Sequence, residues 1–296
     1  AGRYLEFVKS TFPNEISLKN LKIVIDCANG AAYQVAPRVL WELGAEVISI
    51  GCNPDGTNIN DKCGSTHPEL MSKMVKKHKA DIGIALDGDA DRCVLCDEKG
   101  NFIHGDQIIG LITKRYIDQG LLKGESIVGT KMTNKGLENY LNKLNLKLIR
   151  ADVGDRYVVE EMRANGCNVG GEQSGHIILG EYGSTGDGLV ASLQVIASMV
   201  EKNIKVSKLL NLFSLMPQSV ESISYNHNYY KYKKNDQFIT EKIKLAESQL
   251  GEESKIIIRA SGTESKLRIM GESRNKTLLN KTLKTLKTEL KNYINA

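Results

Sequence analysis

The chain has 296 residues, 41% of them hydrophobic and 25% charged; this is the make-up of an ordinary soluble protein too long for one typical core, so two or three domains are expected. A balance of 40 basic against 35 acidic residues gives a net charge of +5, a mild excess carried largely by lysines of the last third such as Lys231, Lys233 and Lys234, where a solvated face is the default and no nucleic-acid partner is required. No apolar run approaches the roughly 20 residues of a membrane span, no secretory signal opens the chain, and the six cysteines are scattered through strand-like and loop segments, which suits a reducing cytoplasm.

The chain opens at Ala1-Gly2-Arg3-Tyr4-Leu5 without an initiator Met and directly in patterned sequence, as a piece of a longer protein would. Tyr4, Leu5, Phe7 and Val8 read as a helix, followed by a turn at Pro13-Asn14. Leu21 to Cys27 is a strand rich in Ile and Val. Val35, Ala36, Val39, Leu40 and Leu43 recur at helical spacing, Gly44 stops that helix, and Val47 to Ile50 is the next strand. This β-α-β order predicts parallel strands. After the turn at Cys52-Asn53-Pro54-Asp55-Gly56, Met71, Met74 and Val75 mark a helix leading to the strand Ile82 to Leu86.

That strand delivers the stretch Asp87-Gly88-Asp89-Ala90-Asp91-Arg92, which returns into a second strand, Cys93 to Cys96. Three carboxylates alternating with small residues repel one another unless a cation sits between them. Oxygen ligands without His or thiolate suit Mg²⁺, so Asp87, Asp89 and Asp91 are the candidate metal ligands; the alternative is a solvated acidic turn. Calcium-type loops are excluded by Arg92 and the following apolar run, which break the twelve-residue EF-hand pattern. Cys93 and Cys96 form a C-x-x-C, but within a strand and without a second pair, so no structural zinc is expected there.

The pattern then restarts. A hairpin-type turn at Asp97-Glu98-Lys99-Gly100 precedes a helix bearing Ile108, Ile109, Leu111, Ile112 and Tyr116. Ser126 to Thr130 is a strand, Leu137, Tyr140, Leu141 and Leu144 mark a helix, and Leu146 to Ala151 is a strand. The order repeats that of residues 21–50, which predicts two similar α/β domains. Asp152-Val153-Gly154-Asp155-Arg156-Tyr157 opens a helix, where Arg156 could face a phosphate or pair with Asp155 acting as the helix cap. Gly170-Gly171-Glu172-Gln173-Ser174-Gly175-His176 gathers a carboxylate, an amide, a hydroxyl and an imidazole among glycines that admit close backbone approach, a combination suited to sugar hydroxyls and equally to a Gly-rich turn with incidental polar residues. Helices are expected at 187–202 and 206–213.

From about residue 218 the composition changes. A helix over 236–250, strands Lys255 to Arg259 and Lys266 to Met270, and a last helix carrying Leu279, Leu283, Leu286, Leu290 and Tyr293 predict a small α+β domain. Its strands are joined by Ala260-Ser261-Gly262-Thr263-Glu264-Ser265. Arg259, Arg268 and these hydroxyls around a Gly suit an anion site; the alternative is an exposed basic hairpin. His67, His78, His104 and His227 have no visible partners and are read as structural or solvated.

Three motifs in this order, Asp-Gly-Asp-x-Asp-Arg, Gly-Glu-x-Ser-Gly-His and Arg-x-Ser-Gly-Thr-Glu, resemble the α-D-phosphohexomutase superfamily over nearly the whole chain. Within it, Gly2-Arg3-Tyr4, Lys9-Ser10-Thr11-Phe12-Pro13, Asp26-Cys27-Ala28-Asn29-Gly30-Ala31, Val153-Gly154-Asp155-Arg156-Tyr157-Val158 and Thr185-Gly186-Asp187-Gly188 are most similar to the bacterial branch that interconverts glucosamine 6-phosphate and glucosamine 1-phosphate, on the route to UDP-N-acetylglucosamine and the cell wall. The resemblance implies an isomerase with Mg²⁺ on Asp87, Asp89 and Asp91. Glu172 and Ser174 would hold the sugar hydroxyls, with Arg156 also substrate-binding. Arg259, Ser261, Gly262, Thr263 and Arg268 would hold the non-reacting phosphate, and Arg92 and His176 would be catalytic.

The resemblance also implies three domains, the family's second at 1–101, third at 102–217 and C-terminal at 218–296. The expected fold class is two similar α/β domains with mixed, mostly parallel sheets plus a C-terminal α+β phosphate-binding domain. The family's first domain, which carries the phosphoserine donor in a Ser-His-Asn-Pro-type loop, has no counterpart in these 296 residues, since no Ser is followed by His-Asn-Pro. This chain alone is therefore expected to be inactive and to need that domain as its partner. A hexosamine phosphate is the expected small-molecule partner, a homodimer is compatible with the resemblance, and no membrane partner is implied. Competing readings are a phosphomannomutase/phosphoglucomutase and a non-catalytic sugar-phosphate-binding protein. Two positions depart from the family pattern: Ala90, where Gly is usual and where the methyl group calls for ordinary backbone angles, and Ser265, where Pro is usual.

Overall fold

A computed structural model describes residues 2–225, 236–260 and 265–294. The chain divides into two compact units, residues 1–133 with 137–213, and residues 134–136 with 214–296.

The first unit carries two sheets built on one plan. After helix α1 (Gly2–Ser10), strand β1 (Lys22–Asp26), helix α2 (Val35–Glu42), strand β2 (Glu46–Ile50), helix α3 (Glu69–His78), strands β3 (Ile82–Leu86), β4 (Cys93–Cys96) and β5 (Phe102–Ile103) form a sheet in the order β2-β1-β3-β4-β5. The first three pair in parallel and the last two add antiparallel. Helix α4 (Gly105–Asp118) leads into strand β6 (Ser126–Thr130), helix α5 (Lys135–Lys143), strand β7 (Lys147–Ala151), helix α6 (Asp155–Ala164) and strands β8 (Val169–Gly171) and β9 (Ile177–Leu179), ordered β7-β6-β8-β9 with β6, β7 and β8 parallel and β9 antiparallel. Replacing β1, β2, β3, β4 by β6, β7, β8, β9 maps one sheet onto the other, so the repeat predicted from the strand and helix order is present. The loop from β3 to β4 and the loop from β8 to β9 occupy equivalent positions.

Why these segments read as continuous apolar runs follows from their two faces. Ile23, Ile25, Ile82, Ile84 and Leu86 enter one core, whereas Val24 and Ala85 enter another beneath Met71 and Val75 of α3. The second sheet repeats this, with Ile127 and Val169 in the larger core and Val128 against Val158 and Met162 of α6. A strand covered on both faces has no polar side to show. Helix α7 (Gly188–Lys202) is buried along almost its whole circumference, as expected of a helix that is apolar all round. Strand alternation also settles the C-x-x-C: residues three apart point to opposite faces, and Cys93 joins the larger core while Cys96 joins the α3 side. Burial pushes both thiols up to about 12, far from the thiolate a zinc ion needs.

The helix expected at 206–213 is only α8 (Val206–Leu209). Past its end Gln107 holds the chain: its Oε1 accepts the Leu212 N–H (3.0 Å), a donor that a continued helix would turn inward, and its Nε2 donates to the Phe213 carbonyl (2.7 Å). His104, read as structural or solvated, caps α4, its Nδ1 accepting the Asp106 N–H at 3.3 Å; His227 lies outside the described residues.

The second unit is a two-layer α+β fold. Strands β10 (Gln218–Ser224), β11 (Lys255–Ala260) and β12 (Lys266–Glu272) form an antiparallel sheet with β12 central. Ile256, Ile258, Leu267 and Ile269 meet Ile239 and Leu250 of α9 (Gln237–Leu250) and Leu279, Leu283, Leu286 and Leu290 of α10 (Lys276–Ile294) in one core. Arg259 and Arg268, of opposite parity along their strands, therefore lie on the face turned away from that core.

Candidate functional site

The acidic loop leaves β3 and is bent by close backbone contacts. The Ala31 N–H donates to the Gly88 carbonyl at 2.7 Å, and a Cβ on Gly30 would fall 2.2 Å from that same oxygen. Ala90 takes φ +63, correcting the expectation of ordinary angles. Its carbonyl accepts the Gly188 N–H at 3.0 Å, and this tertiary bond holds a non-glycine residue where the left-handed region costs about 1–2 kcal/mol.

Carboxylate oxygens of Asp87, Asp89 and Asp91 all lie within 4.8 Å of one another. Two unit charges about 4 Å apart repel by about 4 kcal/mol at an effective dielectric of about 20. Arg92 offsets part of this: its backbone N–H donates to Asp87 Oδ1 (3.1 Å), its Nε to Asp87 Oδ2 (2.6 Å), and Nε lies 3.4 Å from Asp91 Oδ1. Burial and the neighbouring Asp87 raise the Asp91 carboxyl above its usual range. Burial would lower the Arg92 guanidinium, but Asp87 and Asp91 more than compensate and raise it. Asp91 Oδ1 is a buried oxygen with no hydrogen-bond partner among the described residues. Three converging carboxylates, one oxygen of them unsatisfied, fit a small hard divalent cation such as Mg²⁺.

The Gly-rich loop docks against this one. Gly175, at φ +91, accepts the Cys93 N–H on its carbonyl (3.1 Å), and a Cβ there would lie 2.0 Å from the Cys93 oxygen. Arg92 and His176 form an antiparallel bridge. His176, only 3% exposed, uses both ring nitrogens: Nε2 accepts the Gly186 N–H at 3.1 Å and Nδ1 faces Asp91 Oδ2 at 3.2 Å. An accepting Nε2 places the proton of neutral imidazole on Nδ1, directed at the carboxylate. The ring thus stands between Asp91 and Gly186.

Glu172 Oε1 accepts the Gly154 N–H at 3.0 Å, at the N-terminus of α6, and Oε2 receives Ser174 Oγ at 3.4 Å. A helix N-terminus favours a carboxylate there. Arg156 does not pair with Asp155. It is exposed and its Nε donates to Glu160 at 2.8 Å one turn on. Asp155 Oδ1 instead accepts the Arg156 N–H at 2.7 Å, and Gly154 is the cap residue.

A cavity of about 430 Å³ is bounded by Tyr4, Tyr33, Asp89, Ala90 and Asp187, so the acidic loop opens onto a space large enough for a small molecule. A cavity of about 490 Å³ beside Lys19, Asp81, Glu98 and Lys205 contains none of the candidate residues. Reading residues one by one missed Asp187, which entered only through the resemblance. The signal was available, an Asp at the N-cap position before an apolar helix.

In the second unit, Arg259 and Arg268 are directly opposite one another across β11 and β12. Like charges so placed are destabilising unless negative charge lies near them. Arg259 Nε is buried without a hydrogen-bond partner among the described residues. Ser261, Gly262 and Thr263 lie outside the described residues.

Family models match the chain in three consecutive parts. They are phosphoglucomutase/phosphomannomutase alpha/beta/alpha domain II at residues 2–100, alpha/beta/alpha domain III at 104–216, and the C-terminal domain at 201–287. The chain is 52% identical over 290 residues to a phosphoglucosamine mutase of Caulobacter vibrioides, covering 98% of this chain and 64% of that protein. It is 51% identical over 278 residues to one of Parvibaculum lavamentivorans, covering 94% of this chain and 61% of that protein. The chain thus spans under two thirds of the length of these relatives. Among solved structures, it superposes with TM-score 0.78 and 20% identity on an N-acetylphosphoglucosamine mutase of Aspergillus fumigatus in complex with GlcNAc-6P and magnesium, covering 98% of this chain and 65% of that one. A phosphoglucomutase/phosphomannomutase family protein of Burkholderia thailandensis gives TM-score 0.78 at 21% identity, covering 98% and 64%. At such identities the structural likeness speaks for the fold.

Proposed function

The chain belongs to the phosphoglucomutase/phosphomannomutase family through that family's second, third and C-terminal domains, and from this premise we propose that it forms the larger part of a cytoplasmic phosphoglucosamine mutase. The reading rests above all on one observation: the acidic and Gly-rich loops, far apart in sequence, are joined at the Arg92–His176 bridge in a chain half identical to phosphoglucosamine mutases.

The reaction exchanges phosphoryl groups between a serine and glucosamine 6-phosphate. The serine's phosphoryl passes to the sugar O1, giving the 1,6-bisphosphate and a free serine hydroxyl. After the sugar turns, its 6-phosphoryl returns to serine and glucosamine 1-phosphate remains. A divalent cation held by Asp87, Asp89 and Asp91 would supply neutralisation of charge on the transferring group. Arg92 orients Asp87 through its backbone N–H and its Nε. Glu172 and Ser174 bind the sugar hydroxyls, and the Glu172 carboxylate attracts the ammonium of a hexosamine. Arg259 and Arg268 bind the phosphate that is not reacting, with Ser261, Gly262 and Thr263. Binding energy from that distant group serves to position the reacting one.

The phosphoserine belongs to the family's first domain. The purified 296-residue chain is therefore expected to bind glucosamine 6-phosphate in calorimetry yet show no turnover in a coupled mutase assay, and to gain turnover when the first domain of a related mutase is added. Measurable turnover by the chain alone, free of host enzyme, would overturn the mechanism.

Glu172→Gln tests the sugar loop. The amide oxygen can still accept the Gly154 N–H, so the melting temperature should barely move. Turnover of glucosamine phosphate by the assembled enzyme should fall by about tenfold or more, because a charged hydrogen bond contributes about 1.5–3 kcal/mol. A melting temperature that collapses with the activity would make Glu172 structural.

A further inference from the structure

The turn Gly186-Asp187-Gly188 packs directly under the acidic loop, and each of its three amides is committed. The Gly186 N–H donates to His176 Nε2 (3.1 Å), the Asp187 N–H to the Ile177 carbonyl (3.3 Å) and the Gly188 N–H to the Ala90 carbonyl (3.0 Å). The first fixes the ring that faces Asp91, and the last holds Ala90 in its left-handed conformation between Asp89 and Asp91. Neither glycine has room for a side chain. A Cβ on Gly186 would lie 2.7 Å from the Asp91 carbonyl and 2.6 Å from His176 Nε2, and one on Gly188 would lie 2.5 Å from the Arg92 carbonyl.

Asp187 anchors the turn from both sides. Its Oδ1 accepts the Leu189 and Val190 N–H groups (3.1 and 3.0 Å), capping α7, and its Oδ2 accepts the Tyr4 hydroxyl at 2.9 Å. Tyr4 stands on α1, far away in sequence, so the N-terminal helix, the start of α7 and the acidic loop are tied through one residue.

We propose that the Gly186-Asp187-Gly188 turn, locked by Tyr4, is the positioning element that sets the metal affinity of the acidic loop. The side-chain hydrogen bonds of Asp187 and Tyr4 go to each other and to the start of α7, not to Asp87, Asp89 or Asp91. They act through the backbone of Ala90 and the ring of His176. The proposal rests on the metal reading of Asp87, Asp89 and Asp91. Partners one step removed from a metal commonly change affinity by about 10–100-fold when lost, because a ligand that can wander no longer meets the ion in its preferred geometry.

The test is Mn²⁺ binding to the purified chain by electron paramagnetic resonance, beside melting temperature. The wild-type chain is expected to bind Mn²⁺ and Asp89→Asn to lose it. Gly186→Ala should bind at least about tenfold more weakly. Tyr4→Phe and Asp187→Ala should each weaken binding measurably, while Asp187→Asn, which still caps the helix and accepts from Tyr4, should stay within about twofold of wild type. Should Gly186→Ala fail to fold, Tyr4→Phe and Asp187→Ala decide the matter. Wild-type affinity in the positioning variants, with Asp89→Asn still inactive in binding, overturns this inference alone. Mn²⁺ binding that survives Asp89→Asn overturns the metal reading itself, and the inference with it.

Discussion

Asp89→Asn is expected to remove divalent-cation binding and, in the assembled enzyme, turnover, while leaving the fold at least as stable as before. Asp89 is exposed, whereas Asp87 is 2% exposed and holds Arg92. Replacing Asp87 would strand a guanidinium and confound ligand loss with misfolding, but replacing Asp89 removes one of three clustered charges and little else. Affinity should drop by about a hundredfold or more, beyond the range seen for partners one step removed from a metal. In thermal melts, a cation at about one hundred times its dissociation constant stabilises by about 2.7 kcal/mol, or several degrees for a unit of this size. The wild-type chain should show that Mg²⁺-dependent rise and the variant should not. An equal rise in both, or undiminished Mg²⁺-dependent turnover in the variant, would sink the assignment.

Arg259→Ala should act on binding far more than on stability. Arg259 and Arg268 face each other across the strands and like charges so placed repel, so removing one guanidinium should leave the melting temperature about unchanged. Each charged hydrogen bond to a phosphate contributes about 1.5–3 kcal/mol, and about 1.4 kcal/mol is a factor of ten. Affinity for glucosamine 6-phosphate should therefore fall about tenfold or more. Calorimetry with the sugar phosphate checks the first half and a melt without ligand the second. An unaltered dissociation constant would remove Arg259 from the phosphate site.

Much of the fold is legible in the residues themselves, for identifiable reasons. β1 and β3 announce themselves because both faces are covered, leaving unbroken apolar runs. The repeat of the first unit is visible because each copy spends its turns at similar places. β10 escapes because it is an edge strand of mostly polar residues without regular alternation, Gln218 to Ser224, with Ile223 its only side chain in the core. The chain past the end of α8 is held by Gln107, about a hundred residues upstream, and no local pattern carries that.

The site divides in the same way. The proposal of Asp87, Asp89 and Asp91 as candidate metal ligands follows from their chemistry alone. The conformation of Ala90 does not, because a hydrogen bond from Gly188 imposes it. Nor does the orientation of His176, which depends on Gly186. Helical spacing likewise could not tell that Arg156 would turn to Glu160 and leave Asp155 to its own backbone neighbour.

The two sheets of the first unit share one apolar interior. Ile23 and Ile84 from the first, Ile127 and Val169 from the second, and Leu189, Leu193 and Ile196 of α7 belong to a single cluster. Neither copy can open without exposing the floor of the other, and each large side chain left in water forfeits about 1.5–3 kcal/mol. The copies are therefore expected to melt as one cooperative block. Free energy gained by a cation bound in the loop of the first should then appear as slower amide exchange along the strands of the second.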